Sequence, residues 1–119
     1  MAINRYEDLD VYQKAYDLTL AVYAWTRRFP SEERYGLCVQ MQRAASSVPA
    51  NIAEGFVRLW PRDKARFYNI AEGSAEELSV FVRLATNLAY PGQPPELLSI
   101  VKDTAKMLRR LTNVTLARA

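Results

Sequence analysis

The chain has 119 residues, of which 50% are apolar and 24% are charged, with one cysteine and no histidine. This length and composition are typical of one globular domain, over residues 1–119, that buries enough apolar surface to fold without disulfides or metal. With no histidine and with Cys38 alone, the chain cannot build a Ser-His-Asp or Cys-His nucleophile pair, a His/Cys zinc site or the Glu-x-x-His ligands of a di-iron bundle. We therefore expect no metal and no cofactor, and we expect Cys38 to be a small buried residue in a reducing, cytoplasmic compartment.

The basic charge is concentrated at one end of the sequence. Residues 1–90 carry equal numbers of basic and acidic side chains, and the whole net charge of +3 lies in residues 91–119. The N-terminal residues include acids where a signal peptide has an apolar core, and the longest uncharged run, Leu84–Pro95, contains three prolines. The sequence therefore predicts neither secretion nor contact with a membrane.

The first of four segments with helical periodicity is expected to open near Asp8 or Asp10, either of which can act as N-cap, and to run to the Phe29-Pro30 break. Two apolar rows follow it about 100° apart around the helix axis. One row is Val11, Ala15, Leu18, Val22, Trp25 and Phe29, and the other is Leu9, Tyr12, Tyr16, Leu20 and Tyr23. Because a helix in a bundle needs only one apolar face, the second row indicates contact with another copy of the chain.

The second segment is expected to begin after Pro30, with Ser31 as N-cap, and to continue toward Gly55. Pro49 interrupts it, because proline removes one helical hydrogen bond and clashes with the preceding turn. Either the helix continues with a kink or it breaks and Pro49 starts a new first turn, and we expect the kink. Its apolar row is Tyr35, Leu37, Met41, Ala44, Ala45, Val48, Ile52 and Ala53.

The third segment follows Pro61 and ends near Tyr90, and the fourth begins at Pro95 or Glu96. Their expected core rows are Phe67, Ala71, Ser74, Leu78, Phe81, Ala85 and Leu88 for the third, and Leu97, Val101, Thr104, Leu108, Leu111 and Thr115 for the fourth. Four helices with short Pro/Gly connections predict an all-α, antiparallel up-down-up-down four-helix bundle with a Pro-kinked second helix.

A polar row runs along the second helix beside its apolar row, in steps of three and four: Gln40, Arg43, Ser47, Asn51 and Glu54. If this row faces the bundle, Ser74 and Glu77 of the third helix are its expected partners, and buried Arg43 needs a carboxylate such as Glu77. The same spacing also describes an ordinary solvated face, so periodicity leaves both interpretations open.

These polar residues belong to two longer motifs: Gln40-x-x-Arg43-Ala44-Ala45-x-Ser47-Val48-Pro49-Ala50-Asn51-Ile52-Ala53-Glu54-Gly55 and Ile70-Ala71-x-Gly73-Ser74-x-x-Glu77-Leu78. The motifs resemble the signature of bacterial four-helix-bundle proteins first noted as open reading frames in intervening sequences of large-subunit (23S) ribosomal RNA. The resemblance covers about residues 6–90, and it departs from the family at Trp60, where members usually carry Ser or Thr.

That family is similar to the accessory variability protein of diversity-generating retroelements, a homopentameric barrel of four-helix bundles that binds nucleic acid and a reverse transcriptase. The resemblance therefore implies a bundle fold and a ring-like homo-oligomer, a pentamer, for this chain. It implies no specific activity, because most members have none assigned.

Two basic clusters are candidate nucleic-acid-binding sites. One is a stripe on the fourth helix, where four cations could follow the phosphates of RNA or DNA: Lys102, Lys106, Arg109 and Arg110. The other surrounds the connection from the second to the third helix: Arg58, Arg62, Lys64 and Arg66. Trp60 lies beside it and could stack on a base, but we expect it to close the end of the bundle. Ordinary solvation of surface charges remains an alternative for the stripe on the fourth helix.

Paired carboxylates are the remaining candidates for catalysis: Glu54, Glu72, Glu76 and Glu77. Such chemistry needs a cleft and unequal pKa values, which a packed bundle does not offer. The sequence therefore predicts a non-enzymatic, homo-oligomeric bundle that associates with structured RNA or DNA as a scaffold or accessory protein. The alternative is an adaptor for protein–protein interaction that does not bind nucleic acid.

Overall fold

A computed structural model describes residues 3–119 and places four long helices side by side in a bundle of 46 × 23 × 19 Å. The helices are α1 (Asp10–Thr26), α2 (Leu37–Val57), α3 (Pro61–Asn87) and α4 (Leu97–Leu116). Helix α2 packs between α1 and α3, and α4 closes the bundle against α3 and α1, so α1 and α3 lie diagonally opposite each other. The predicted all-α four-helix bundle is confirmed, and α2 runs continuously through Pro49.

The core has two parts along the bundle axis. Near the α1–α2 connection it is built around Trp25, Met41 and Val82, and toward the other end around Ile52 and Leu108. Each side chain of this size stabilises the fold by about 1.5–3 kcal/mol when it is fully buried. No helix within residues 3–119 is apolar over a stretch long enough to cross a membrane.

The expected capping of the first two helices is wrong, although α1 begins at Asp10 as predicted. Leu9 precedes α1, and the side chains of Asp8 and Asp10 make no capping hydrogen bond within the described part of the chain. Ser31 instead opens a single 3-10 turn (Ser31–Glu33), and α2 starts only after Gly36. Glu33 Oε1 accepts the Leu37 N–H at 3.2 Å, because Gly36 has no side-chain oxygen with which to cap the helix. A second 3-10 turn, Tyr6–Asp8, precedes α1.

The first apolar row of the first helix is buried along its whole length, and the expected core row of the third helix is confirmed at Ala71, Leu78 and Ala85 but wrong at its other four positions. Phe67, Ser74 and Phe81 are only half-buried at the seam with α2, and Leu88 is 47% exposed. The buried residues of α3 are Ala65, Tyr68, Ala71, Glu72, Ala75, Leu78, Ser79, Val82 and Ala85. Five of these nine residues are alanine or serine, so the large apolar residues Phe67 and Phe81 mark the edge of the buried face instead of its centre. Tyr35, which precedes α2, is 87% exposed.

The connection between α3 and α4 is tied back to the start of α2. Tyr90 Oη donates to Glu33 Oε2 at 2.6 Å, and the Tyr90 ring packs 4.8 Å from the ring of Phe29 between centroids. Ala89 and Glu96 both have φ of 59°, a left-handed conformation that side chains other than glycine's disfavour. Glu33 therefore serves two elements, since one of its oxygens caps α2 and the other holds the connection.

Candidate nucleic-acid interface

The four cations expected to form one stripe on α4 separate into two pairs. Lys102 Nζ lies 3.1 Å from Glu76 Oε1, and Arg109 Nη2 lies 2.9 Å from Glu72 Oε2, so this pair faces α3. The other two are exposed and make no ion pair within 4 Å among residues 3–119: Lys106 and Arg110. Two of the four positive charges are thus partly balanced by carboxylates of the neighbouring helix.

Arg109 is held by Glu72 along one edge of its guanidinium group. Its Nε donates to Oε1 at 3.1 Å and to Oε2 at 2.9 Å, and this hydrogen bonding, with the charge of Glu72, raises the pKa of Arg109. Glu72 is buried at 8% exposure, whereas the Arg109 side chain remains 66% exposed. The contacts involve Nε and Nη2, and they leave Nη1 outside the ion pair.

Two arginines of the second cluster lie against one aromatic ring. The guanidinium carbons of Arg58 and Arg66 are 4.6 Å and 4.8 Å from the centroid of the Phe67 ring. Arg58 also contacts Glu54, at 2.8 Å. Cation–π contacts of this kind leave the N–H groups at the edge of a guanidinium free to bind other acceptors.

Lys64, the third basic residue of this cluster, has a structural role. Its ammonium group donates to the backbone carbonyl of Phe56 and lies 5.4 Å from the centroid of the Phe56 ring. The last carbonyls of a helix lack helical partners, so Lys64 caps the end of α2. The helices meet closely here, since a Cβ atom added at Gly55 would lie 2.8 Å from the ring of Tyr68.

The expectation that Trp60 closes the end of the bundle is wrong. Trp60 is 68% exposed, and the neighbouring Leu59 and Val57 are 82% and 63% exposed. Only residues 58–60 connect α2 to α3, and a connection this short cannot fold back over the core. The chain therefore presents an apolar tip beside its second basic cluster.

Arginines of both clusters line a single open groove of about 400 Å³ between the start of α3 and the end of α4. Antiparallel packing of α3 and α4 brings these two helix ends together. The lining contains three arginines and two asparagines but no carboxylate from the described residues: Arg62, Ala65, Arg66, Asn69, Arg109, Thr112, Asn113 and Leu116. We call these eight residues the arginine groove.

A second cleft, of about 640 Å³, opens at the same end of the bundle and is mainly apolar. Its lining is Ile3, Leu9, Phe56, Leu59, Pro61, Lys64, Tyr68, Leu111, Thr115 and Arg118. Its two charged groups are the cations of Lys64 and Arg118, so it offers no carboxylate pair for acid–base chemistry. Within residues 3–119, no three potential ligands of the His, Cys, Asp and Glu types are grouped to hold a metal ion.

Comparison with known proteins agrees with this architecture. The sequence profile described as 23S rRNA-intervening sequence protein matches residues 7–113. The chain belongs to this family. A solved structure of a protein of unknown function from the S23 ribosomal protein family of Bacteroides thetaiotaomicron is similar, with a TM-score of 0.68 and 18% identity over 86% of this chain and 94% of that chain. Identity this low supports the shared fold alone. No protein with curated annotation matches the chain.

In this member of the 23S rRNA-intervening sequence protein family, the polar row of α2 is divided between the helix seam and the surface. Ser47 Oγ and Ser74 Oγ lie 2.8 Å apart, and Asn51 Nδ2 donates to the backbone carbonyl and the hydroxyl of Ser47 at 2.8 and 3.0 Å. Arg43 is exposed, and among residues 3–119 no carboxylate, including that of Glu77, lies within 4 Å of its guanidinium. The other exposed members are Gln40, Glu54 and Glu77.

Two polar residues of the arginine groove, Asn69 and Asn113, were not among the candidate residues from the sequence. A signal for them exists, because Arg62, Arg66 and Asn69 fall at i, i+4 and i+7 on α3, and Arg109 and Asn113 fall at i and i+4 on α4. Each helix supplies half of the groove, so the sequence pattern of either helix alone does not indicate a binding site.

Proposed function

We propose that this chain is a non-enzymatic, oligomeric bundle protein that binds RNA through its phosphates. The observation that carries this proposal is the meeting of Arg62, Arg66 and Arg109 in one groove without a carboxylate in its lining. Cations that neutralise phosphates release counterions, which gives binding that depends little on sequence. The family description names 23S rRNA, so we favour RNA over DNA and structured RNA as the first probe.

Three of the four candidate carboxylates support binding rather than catalysis as the role of the chain, and the fourth, Glu77, lies exposed on α3. Glu54, Glu72 and Glu76 each contact a cation of the same chain, at 2.8, 2.9 and 3.1 Å. A general acid or base must reach a substrate with a suitable pKa, and these three groups are already held in ion pairs. A cytoplasmic location, where Cys38 stays a thiol, is part of the proposal.

Self-association of the chain is the second part of the proposal. On α1, Tyr16 and Leu20 are 50% and 56% exposed, and on α3, Val80 and Leu84 are 60% and 46% exposed. Because α1 and α3 are diagonal in the bundle, these apolar faces lie on opposite sides of it. Two different patches on opposite sides favour head-to-tail contact over a two-fold dimer, and head-to-tail contact forms a ring where the rotation between neighbouring copies closes.

A ring would strengthen weak contacts with RNA. Each copy contributes one arginine groove, and linked sites raise the effective concentration of the second site once the first is occupied. The pentamer that the family resemblance implies would carry five such grooves. Affinity for RNA is therefore expected to fall sharply in any variant that dissociates the assembly, even if every groove is intact.

Fluorescence anisotropy with a labelled structured RNA, measured across a salt series, tests RNA binding, and light scattering tests self-association. Three phosphate contacts predict a slope of log affinity against log salt of about −2 to −3 per groove. Absence of binding at low salt, or affinity that does not respond to salt, would contradict the RNA proposal. It would favour the adaptor function, for which the apolar tip at Val57, Leu59 and Trp60 is the best surface.

A further inference from the structure

We propose that the arginine groove binds single-stranded RNA, with Arg62, Arg66 and Arg109 on phosphates and Trp60 stacked on a base. The inference rests on the proposed RNA binding and goes beyond it, because it names the form of the strand and the residues that select it. The geometry of the groove, the restraint of Arg109 and the exposure of Trp60 support it separately.

The width of the groove favours a single strand. The groove is the furrow between two helices in direct contact, whose axes pack about 8–10 Å apart, and its volume is about 400 Å³. One sugar–phosphate backbone fits such a furrow, whereas a duplex can only lie across its rim. Arg62 and Arg66 are one turn apart, or about 6 Å along the axis, so they can contact consecutive phosphates of an extended strand.

Arg109 reaches the groove from α4 in a fixed orientation. Glu72 binds its Nε and Nη2 from within the helix interface, at 2.9 to 3.1 Å, so this side chain loses little further freedom when it binds a ligand. A guanidinium group has five N–H donors, and those that Glu72 does not use suit a phosphate oxygen. Arg109 therefore fixes one phosphate position, from which Arg62 and Arg66 set the path of the strand.

Trp60 gives the groove a preference for unpaired bases. It immediately precedes α3, two residues from Arg62, and is 68% exposed. In a duplex the bases already stack on one another, but a base of a single strand is free to stack on an indole ring. Asn69 and Asn113 add amide groups that can donate to or accept from sugars and base edges.

The test compares one RNA oligonucleotide of about 12 nucleotides, alone and annealed to its complement, with full-length protein. The groove variant is Arg62→Gln with Arg66→Gln, and the matched control is Lys106→Gln with Arg110→Gln. The control removes the same charge from exposed residues outside the groove lining. On the single strand, we expect the slope of log affinity against log salt to become shallower by about 1.4 in the groove variant. In the control it should change much less.

Tryptophan fluorescence gives a readout specific to stacking. The chain contains two tryptophans, and Trp25 is buried at 1% exposure, so quenching by a bound base reports on Trp60. We expect the single strand to quench the emission, and Trp60→Phe to abolish the quenching while retaining most of the affinity. We expect Trp60→Ala to weaken single-strand binding about five- to a hundredfold, with little effect on duplex binding.

The outcomes separate this inference from the proposed function. If the protein binds structured RNA with a steep salt response but the groove and control variants lose affinity equally, the groove is not the site and the proposed function stands. If the duplex binds as tightly as the single strand, or Trp60 emission does not change on binding, the single-strand assignment is wrong. If no RNA binds at low salt, both proposals are wrong.

Discussion

The hydroxyl of Thr19 on α1 donates to the backbone carbonyl of Ala45 on α2 at 3.0 Å. In an uninterrupted helix that carbonyl accepts the N–H of residue 49, and Pro49 has none. Thr19 Oγ1 also lies 2.8 Å from the carbonyl of Ala15, so its single hydrogen is shared between two acceptors. Helix α1 therefore supplies the donor that the proline removes from α2, which explains how α2 continues through Pro49.

The first prediction concerns this replacement donor. Thr19→Val keeps the shape of the side chain but leaves the Ala45 carbonyl without a partner, so we expect a loss of about 1–3 kcal/mol in the free energy of unfolding. Thr19→Ser retains the hydroxyl and should lose much less. In a Pro49→Ala background the N–H of residue 49 is restored to the helix. Thr19→Val should then lower the free energy of unfolding clearly less than it does in the wild type. Urea unfolding at one fixed protein concentration measures this double-mutant cycle of Thr19→Val and Pro49→Ala. If the effects of the two substitutions on the free energy of unfolding simply add, Thr19 does not replace the missing donor.

The second prediction concerns Ala89, which follows the end of α3 with φ of 59°. An L-residue other than glycine is disfavoured there by about 1–2 kcal/mol, so Ala89→Gly should raise the free energy of unfolding by about 1 kcal/mol. Ala117, the residue after α4, has φ of −64° and provides the control. Ala117→Gly should leave stability unchanged or lower it, because no strain is relieved there. Thermal melts of both variants test this prediction. Equal shifts in melting temperature would show that the conformation of Ala89 carries no strain.

The third prediction concerns pH. The hydrogen bond to Glu33, together with burial, raises the pKa of Tyr90 to about 12. A raised pKa in the folded state means that the contact stabilises fully below the unfolded value of about 10, and that this stability is lost as the pH rises toward 12. The free energies of unfolding of the wild type and of Tyr90→Phe should therefore differ most below pH 10 and converge above it. A difference that stays constant with pH would contradict the role of the hydroxyl.

Local periodicity was enough to place the helices because large apolar residues recur along one face of α1 and of α4. The start of α2 was misplaced because capping depends on the backbone: Gly36 adopts φ of −111° and ψ of −107°, and the acceptor comes from Glu33. The sequence gives no preference between Ser31 and Glu33 for this role, since both lie just ahead of the helix.

The sequence predicted where the four cations of α4 lie on that helix, but not which of them are paired with carboxylates. Spacing placed its four cations on one side of a helix, but the carboxylates that pair with two of them, Glu72 and Glu76, belong to α3. Their pairing depends on the register between α3 and α4, which neither helix contains by itself. The arginine groove depends on the same register, so its two halves were found as separate clusters.

The last prediction uses two glycines in the family motifs of α2 and α3. A Cβ atom at Gly55 would lie 2.8 Å from Tyr68 Cε1 and 3.0 Å from the carbonyl of Lys64, so Gly55→Ala should destabilise the bundle by about 1–3 kcal/mol. A Cβ atom at Gly73 would meet nothing within 4 Å, on the outward face of α3 that also carries Val80.

In an isolated chain, Gly73→Ala should therefore stabilise α3 by about 1 kcal/mol, because alanine favours the helix. If a second copy packs closely on this face, as the proposed self-association requires, the same methyl group should weaken the assembly. Light scattering and thermal melts over a range of protein concentrations distinguish the two cases. A variant that melts higher and keeps its oligomeric size would show that Gly73 faces solvent and that copies do not pack closely at this position.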